Sequence, residues 1–279
     1  MSEITSNLKK KLQSAWDTKL QPIVRRSGFD IQRHVPPLPY AQEAAAFTVL
    51  RRLHELSEKP GLKNRDSFLA LCANNLANSK AQLFQDLFVL HELDGKREGY
   101  FVEFGATNGV DLSNTHLLEK QYGWHGLLAE PARCWHDALQ RNRSSAIDFR
   151  CVWEKNGERL EFNEVPDAAF STIAALSDKD FHSKKREHGT LYEVETVLLN
   201  DLLKQHDAPR RIDYMSIDTE GSEYDILKSF DFAAYDVRII TVEHNYTEHR
   251  EKIYDLLGSN GYQRKFEEFS GWDDWYVKT

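Results

Sequence analysis

The spacing of apolar residues changes at Tyr100, after a charged turn. From residue 41 to about residue 93, apolar side chains recur at helical spacing, which predicts an N-terminal helical layer. From Tyr100 onward, short apolar runs alternate with helical segments, and this alternation predicts a parallel sheet with crossover helices. The predicted strands are Tyr100–Phe104, Gly126–Glu130, Ala146–Trp153, Ile212–Ile217, Val237–Glu243, Gln263–Phe269 and Asp274–Lys278.

The last two predicted strands are joined only by the turn Ser270–Asp273, so we expect them to form an antiparallel hairpin. The predicted fold is therefore α/β: a Rossmann-like, doubly wound sheet of seven strands with a C-terminal antiparallel hairpin and an N-terminal helical extension. A terminal hairpin is typical of class I methyltransferases and not of dehydrogenases. We expect residues 1–78 to form a tail and helical extension, and residues 79–279 to form the cofactor-binding domain.

Composition and charge narrow the classes of partner. The chain has 279 residues, 41% of them hydrophobic, and a net charge of -8, which argues against nucleic acid as a partner and favours small molecules or glycans. No apolar run approaches the roughly 18 residues of a membrane span. With no signal-peptide pattern and no cysteine spacing typical of disulfides or zinc, a cytoplasmic location is expected.

The basic tail at residues 1–40 favours a solvated helix or packing arm over a surface for anionic lipid or a partner. The helical layer that follows could support a dimer.

The first candidate site is the segment YFVEFGATNG at residues 100–109. Glycines let the backbone pass close to a ligand at the carboxyl end of a strand. The spacing departs from the G-x-G-x-x-G of dinucleotide sites, and Glu103 would repel a phosphate. An acidic group here suits the ammonium of a methionine moiety, which indicates S-adenosylmethionine. The cofactor residues predicted here are Glu103, Gly105, Ala106, Asn108, Gly109 and Ser113.

The second candidate segment, GLLAEP at residues 126–131, ends a strand in Glu130. Glu130 follows the glycine loop by roughly 20 residues, the spacing at which an acidic residue holds ribose hydroxyls. The alternative is that Glu130 caps a helix beginning near Pro131. At the end of the predicted third strand, Trp153 is either an apolar wall for adenine or a core residue.

The third candidate site combines the ends of the fourth and fifth strands. Asp218 and Glu220 follow one strand and Glu243 and His244 follow the other, so neighbouring strands would bring them to one rim. Crowded carboxylates predict a raised pKa or a divalent metal, for which Asp218, Glu220 and Glu243 would suit Mg²⁺ or Mn²⁺. The alternative is that Glu220 and Glu223 only enrich the first turn of a helix and that His244 is a core histidine.

The chain resembles the FkbM-type methyltransferases over roughly residues 79–279. The resemblance rests on SKAQLFQD at 79–86, FVEFGATNGVDLSNT at 101–115, GLLAEP at 126–131, DYMSIDTEGSEYDIL at 213–227 and VEHN at 242–245. It implies a class I fold, S-adenosylmethionine as methyl donor, and O-methylation of a hydroxyl on a sugar, glycan or related natural product. The motif residues that it adds to the cofactor site are Gln82, Asp86, Pro131 and Asp218.

For such an enzyme the predicted catalytic residues are Asp218, Glu243 and His244, with His244 as general base or a metal held by the two carboxylates. Two alternatives stay open: a methyltransferase with a non-sugar acceptor, and a nucleotide-binding Rossmann-like protein without methyl transfer. The long segment at residues 163–190 predicts a lid or binding loop. Its basic residues Lys184, Lys185 and Arg186 either contact an anionic acceptor or are solvated.

Overall fold

The computed structural model describes residues 63–178 and 182–279. The predicted basic tail and the first part of the predicted helical layer lie outside these residues. The strands of the described part are β1 Tyr100–Phe104, β2 His125–Ala129, β3 Ala146–Asp148, β4 Cys151–Trp153, β5 Arg159–Glu164, β6 Thr172–Ile173, β7 Thr190–Leu198, β8 Arg211–Ile217, β9 Asp236–Glu243, β10 Tyr262–Lys265 and β11 Asp273–Lys278.

The main sheet has seven strands in the order β10-β11-β9-β8-β1-β2-β3. Strand β1 runs parallel to β2 and β8, and β8 runs parallel to β9. At one edge β11 is antiparallel to both β9 and β10, so the predicted α/β sheet with a C-terminal antiparallel hairpin is confirmed. Parallel neighbours bring the carboxyl ends of β1, β8 and β9 to one rim.

Two predicted strands are wrong in extent. The run at residues 146–153 forms two strands in different sheets, because Asp148 accepts the Arg150 backbone N–H (2.9 Å) and turns the chain between them. The run at residues 263–269 ends its strand at Lys265. Phe266 then adopts a left-handed backbone, and a short helix follows in place of the predicted continuation.

A second, four-stranded sheet in the order β4-β7-β5-β6 occupies much of the region predicted as a lid or loop. Strand β7 pairs antiparallel with β5 on one side and parallel with β4 on the other. The residues in the first half of β7 are largely exposed, so this strand lacks the continuous apolar run that is typical of the main sheet. The hydrophobic core of this second sheet is small and includes Phe162, Ile173 and Val194.

Helices cover both faces of the main sheet. They are α1 Lys63–Asn75, α2 Gln85–Glu92, α3 His116–Tyr122, α4 His136–Asn142, α5 Leu199–Gln205, α6 Glu223–Ser229, α7 His249–Ser259 and α8 Glu267–Ser270.

Successive residues of β1 enter different cores: Phe101 lies in the core that includes Phe68 of α1, and Val102 in the core that includes Leu202 of α5. Because both faces are covered, the strands read as continuous apolar runs. None of the described helices is long and apolar enough to cross a membrane.

Candidate functional site

The loops leaving β1, β8 and β9 meet at one rim of the sheet and share a strained backbone. In them Thr107, Glu220, Asn245 and Tyr246 have φ between 46° and 60°, a region that residues with side chains rarely adopt. Such strain costs free energy and clusters at functional sites. The rim therefore combines predicted site residues from three separate segments.

The glycine loop after β1 packs directly on the end of β8. Gly105 has φ 75°, and a Cβ built there would lie 1.8 Å from the carbonyl oxygen of Asp218. Gly109 has φ 77°, and its Cβ would lie 2.6 Å from Cγ of Arg143. Both positions therefore require glycine for conformation and for space, and the predicted cofactor loop adjoins the carboxyl cluster of β8.

Glu103 at the end of β1 binds residues of the following loop. Its buried carboxylate accepts hydrogen bonds from the Ser113 hydroxyl (3.0 Å), the Asn114 backbone N–H (2.7 Å) and the Thr115 hydroxyl. Arg143 lies 3.5 Å from the same carboxylate. Glu103 and Ser113 thus order the loop, and their predicted direct contact with the cofactor stays a prediction.

Arg143, which the sequence reasoning missed, holds this loop from below. Its side chain is fully buried and donates to the Gly109 carbonyl (3.3 Å), the Thr115 hydroxyl (2.8 Å) and the Glu119 carboxylate (2.9 Å). Burial opposes ionisation of Glu119, but the Arg143 guanidinium together with hydrogen bonds from Lys120 and Ser145 lowers its pKa to about 2. Nothing in the local spacing marks Arg143, because its partners lie 24 to 34 residues away.

Glu130 joins the exit of β2 to the glycine loop. Its carboxylate accepts the backbone N–H groups of Thr107 and Ala132, both at 2.8 Å. Neither helical segment that follows, Arg133–Trp135 or α4, has a side-chain cap, so the alternative in which Glu130 caps a helix is not observed. Burial raises the pKa of Glu130 to about 7. Ala106 is buried beside it, Pro131 is half-buried, and the Asn108 carboxamide oxygen accepts N–H groups of its own turn.

Three predicted cofactor residues contact groups other than the glycine loop. Asp86 is fully buried, accepts the Ser79 hydroxyl (2.7 Å), and has its pKa raised to about 7 by burial. The Gln82 carboxamide oxygen accepts the indole N–H of Trp272 (3.2 Å). Trp153 ends β4 in the second sheet, so the prediction that it ends the third strand of the main sheet is wrong.

Three carboxylates converge where β8 and β9 end. Asp218, Glu220 and Glu243 each offer an oxygen within 4.8 Å of the others. Burial and mutual repulsion raise the pKa of Asp218 to about 7 and that of Glu243 well above its ordinary value, as the crowding predicted. Glu243 is 6% exposed, and its Oε2 has no hydrogen-bond partner among the described residues.

The long segment at residues 163–190, called the inserted segment below, contacts this cluster through a buried ion pair. Arg186 lies 2.6 Å from the Glu220 carboxylate, with both side chains buried, and also donates to the Phe170 carbonyl (2.7 Å). The Thr172 hydroxyl donates to the Glu220 carbonyl (2.9 Å). The prediction that Arg186 contacts an anionic acceptor or is solvated is therefore wrong, whereas Lys184 is exposed. The Arg186 guanidinium offsets the charge of one of the three carboxylates, Glu220, so the cluster keeps an excess of acidic groups.

Glu223 lies in the first turn of a helix, which is the alternative role predicted for it. It begins α6 and accepts the backbone N–H groups of Thr219 (2.9 Å) and Gly221 (3.0 Å), which closes the turn after β8. Burial raises its pKa.

His244 also fits its alternative reading, a buried core histidine. Its Nδ1 accepts the Tyr246 backbone N–H (3.0 Å), so the ring proton resides on Nε2, which lies 3.7 Å from a carboxylate oxygen of Asp274. Burial lowers its pKa to about 4. A general base needs a free lone pair, and in this arrangement the lone pair is engaged.

Comparison with known proteins places the chain among methyltransferases. The family model described as Methyltransferase FkbM domain matches residues 103–275, more than half of the chain. The matched region contains the glycine loop, Glu130 and the carboxyl cluster. No curated protein matches the sequence.

Comparison with solved structures gives matches of low similarity. The precorrin-6Y C5,15-methyltransferase of Geobacter metallireducens has 9% identity and a TM-score of 0.39, with 70% of this chain and 87% of that chain covered. The ribosomal protein L11 methylase of Lactobacillus delbrueckii subsp. bulgaricus has 12% identity and a TM-score of 0.35, with coverage of 71% and 78%. On the match to the family model, this chain belongs to the S-adenosylmethionine-dependent FkbM methyltransferase family.

Proposed function

We propose that the protein transfers a methyl group from S-adenosylmethionine to a hydroxyl of a sugar, glycan or related natural product, with Asp218 as the base. The observation that carries the proposal is the carboxyl pair of half-buried Asp218 and buried Glu243, which adjoins the glycine loop through the contact of Gly105 with the Asp218 carbonyl. A hydroxyl is a poor nucleophile, so an acceptor oxygen aligned with the sulfonium methyl benefits from a base at this position.

The proton balance follows from the environment of the pair. Burial and mutual repulsion raise the pKa of both carboxyl groups, so the pair favours holding a single proton between Asp218 and Glu243. Asp218, with a pKa of about 7, then accepts the hydroxyl proton as the carbon–oxygen bond forms and the carbon–sulfur bond breaks. A base with a pKa near the working pH is effective because it is both substantially deprotonated and a good proton acceptor.

A divalent cation fits the same residues. Asp218, Glu220 and Glu243 supply hard oxygen ligands within the reach of one ion, and Oε2 of Glu243, which has no hydrogen-bond partner in the described part of the chain, could coordinate it. As the alternative to a carboxyl base, we propose these three residues as the ligands for Mg²⁺ or Mn²⁺, in which case Asp218 would hold the ion and not accept the hydroxyl proton. When bound, such an ion would lower the pKa of a nearby hydroxyl. The Arg186 guanidinium competes for Glu220, so the affinity of the site depends on that ion pair.

The test measures cofactor binding and methyl transfer separately. Calorimetric titration with S-adenosylmethionine should give saturable binding and titration with NAD none; the reverse would overturn the proposal. Transfer from methyl-labelled donor is then followed on a panel of methyl glycosides and oligosaccharides. Transfer confined to amine or carbon acceptors would reject the hydroxyl acceptor. Activity that survives EDTA unchanged would reject the metal and leave the carboxyl pair as base.

The role of Asp218 is tested with a charge-matched control. Asp218→Asn keeps the backbone carbonyl that packs on Gly105 and removes the base, so kcat should fall about 100-fold while the Kd for S-adenosylmethionine changes little. Asp255→Asn, at an exposed position of α7, removes one negative charge elsewhere and should leave both unchanged. Equal kcat values for the two variants would exclude Asp218 as the base.

A further inference from the structure

The loop leaving β9 presents the exposed aromatic ring of Tyr246, in the same segment as Glu243 of the carboxyl cluster. Tyr246 is 64% exposed, although the three residues before it, Glu243, His244 and Asn245, are buried. It follows Glu243 by three residues. A single exposed aromatic residue is common on protein surfaces and carries no function by itself. What distinguishes Tyr246 is how the chain holds it.

The backbone at Tyr246 is strained and fixed by hydrogen bonds. Asn245 (φ 46°) and Tyr246 (φ 55°) are successive non-glycine residues in the left-handed region. The His244 and Asn245 N–H groups both donate to the Trp272 carbonyl, and the His244 carbonyl accepts the N–H (2.8 Å) and hydroxyl (2.9 Å) of Thr247. Such a conformation persists only where the surroundings enforce it.

The His244 ring contributes the contact that acts on Tyr246 itself. Its Nδ1 accepts the Tyr246 N–H, and the two rings meet nearly edge to face at a centroid distance of 5.3 Å. The Nδ1 lone pair is engaged by the backbone in this contact, and Nε2 lies 3.7 Å from a carboxylate oxygen of Asp274. The buried histidine beside Glu243 is therefore suited to positioning rather than to proton transfer.

We infer that Tyr246 is the platform on which a sugar ring of the acceptor stacks, and that His244 is a positioning residue that holds this platform in place. This inference rests on the proposed function, because it identifies the acceptor-binding part of the same site. A pyranose presents a face of C–H groups that an aromatic ring can cover, while the hydroxyls at its edge stay free to reach Asp218.

Binding of sugars tests the platform directly. With the protein saturated with S-adenosylhomocysteine, saturation-transfer-difference NMR is recorded on methyl β-D-glucopyranoside, methyl α-D-mannopyranoside and methyl α-L-rhamnopyranoside. Ring C–H protons of at least one glycoside should receive saturation from the wild type. Tyr246→Ala should weaken that binding about threefold to tenfold, and Tyr246→Phe should retain it. The control Tyr254→Ala removes another exposed tyrosine, on α7, and should have no effect.

His244 variants separate positioning from base catalysis. His244→Asn places an acceptor oxygen near the site of Nδ1, whereas His244→Leu has none. We expect the asparagine variant to bind the glycosides like the wild type and the leucine variant to resemble Tyr246→Ala, with unchanged affinity for S-adenosylmethionine in both. Equal loss in the two variants would overturn the positioning role.

Glycoside signals that are absent from the wild type, or unaffected in Tyr246→Ala, would overturn the platform. If S-adenosylmethionine still binds in either case, the proposed methyl transfer stands and only this inference fails. Loss of cofactor binding in the wild type would instead reject the proposed function.

Discussion

The buried ion pair between Arg186 and Glu220 should stabilise the contact of the inserted segment with the rim. In Arg186→Met, the Glu220 carboxylate stays buried beside Asp218 and Glu243 without its guanidinium partner, which lies 2.6 Å away in the wild type. Removing one partner of a buried pair costs about 3–5 kcal/mol, since the remaining charge is uncompensated. For a domain of this size that corresponds to a fall in Tm on the order of 10 °C.

Urea denaturation followed by circular dichroism, combined with a double-mutant cycle, isolates the pair. Glu220→Gln alone leaves the guanidinium buried, whereas Arg186→Met with Glu220→Gln removes both charges, so the double variant should be more stable than Arg186→Met. Lys184→Met removes a neighbouring exposed cation and should change the free energy of unfolding by less than about 0.5 kcal/mol. A loss below about 1 kcal/mol in Arg186→Met, or a double variant no more stable than that single variant, would refute this reasoning.

Gly105→Ala should weaken S-adenosylmethionine binding in calorimetry at least about tenfold, because its Cβ would collide with the Asp218 carbonyl, whereas Gly157→Ala, at a similar positive φ but in open space, should bind normally. Normal binding by both would contradict a tight contact. Since the pKa of Asp218 is about 7 and the base acts deprotonated, kcat/KM should rise with pH below about 7 and level off above it; a flat profile from about pH 5.5 to 8.5 would contradict this base. Arg143→Leu should destabilise the protein by about 3–5 kcal/mol at pH 7. Arg143 is the largest of several groups that, against the effect of burial, lower the pKa of Glu119 from 4.5 to about 2. The contribution of Arg143 is therefore present above pH 4.5 and should shrink as the pH falls towards 2, which chemical denaturation at several pH values can follow.

Much of the fold could be predicted because the main sheet has an apolar pattern that few architectures satisfy. Strand β1 has the predicted bounds Tyr100–Phe104, and Phe101 and Val102 enter different cores. A strand covered on both faces is a continuous run of apolar residues, so it can be recognised from the sequence. The second sheet lacks such a run, because β7 is covered only in part and its polar residues resemble those of a loop.

The sequence by itself determined which segments reach the rim, because the carboxyl ends of parallel strands meet there and Glu103, Glu130, Asp218 and Glu243 each lie at or beside such an end. Only the tertiary structure decided what those residues contact. The partner of Glu220 comes from a segment 34 residues away, and the lone pair of His244 is engaged by a strained turn. Local periodicity records which face of an element is apolar, whereas hydrogen-bond partners and pKa values depend on long-range packing, which that periodicity does not encode.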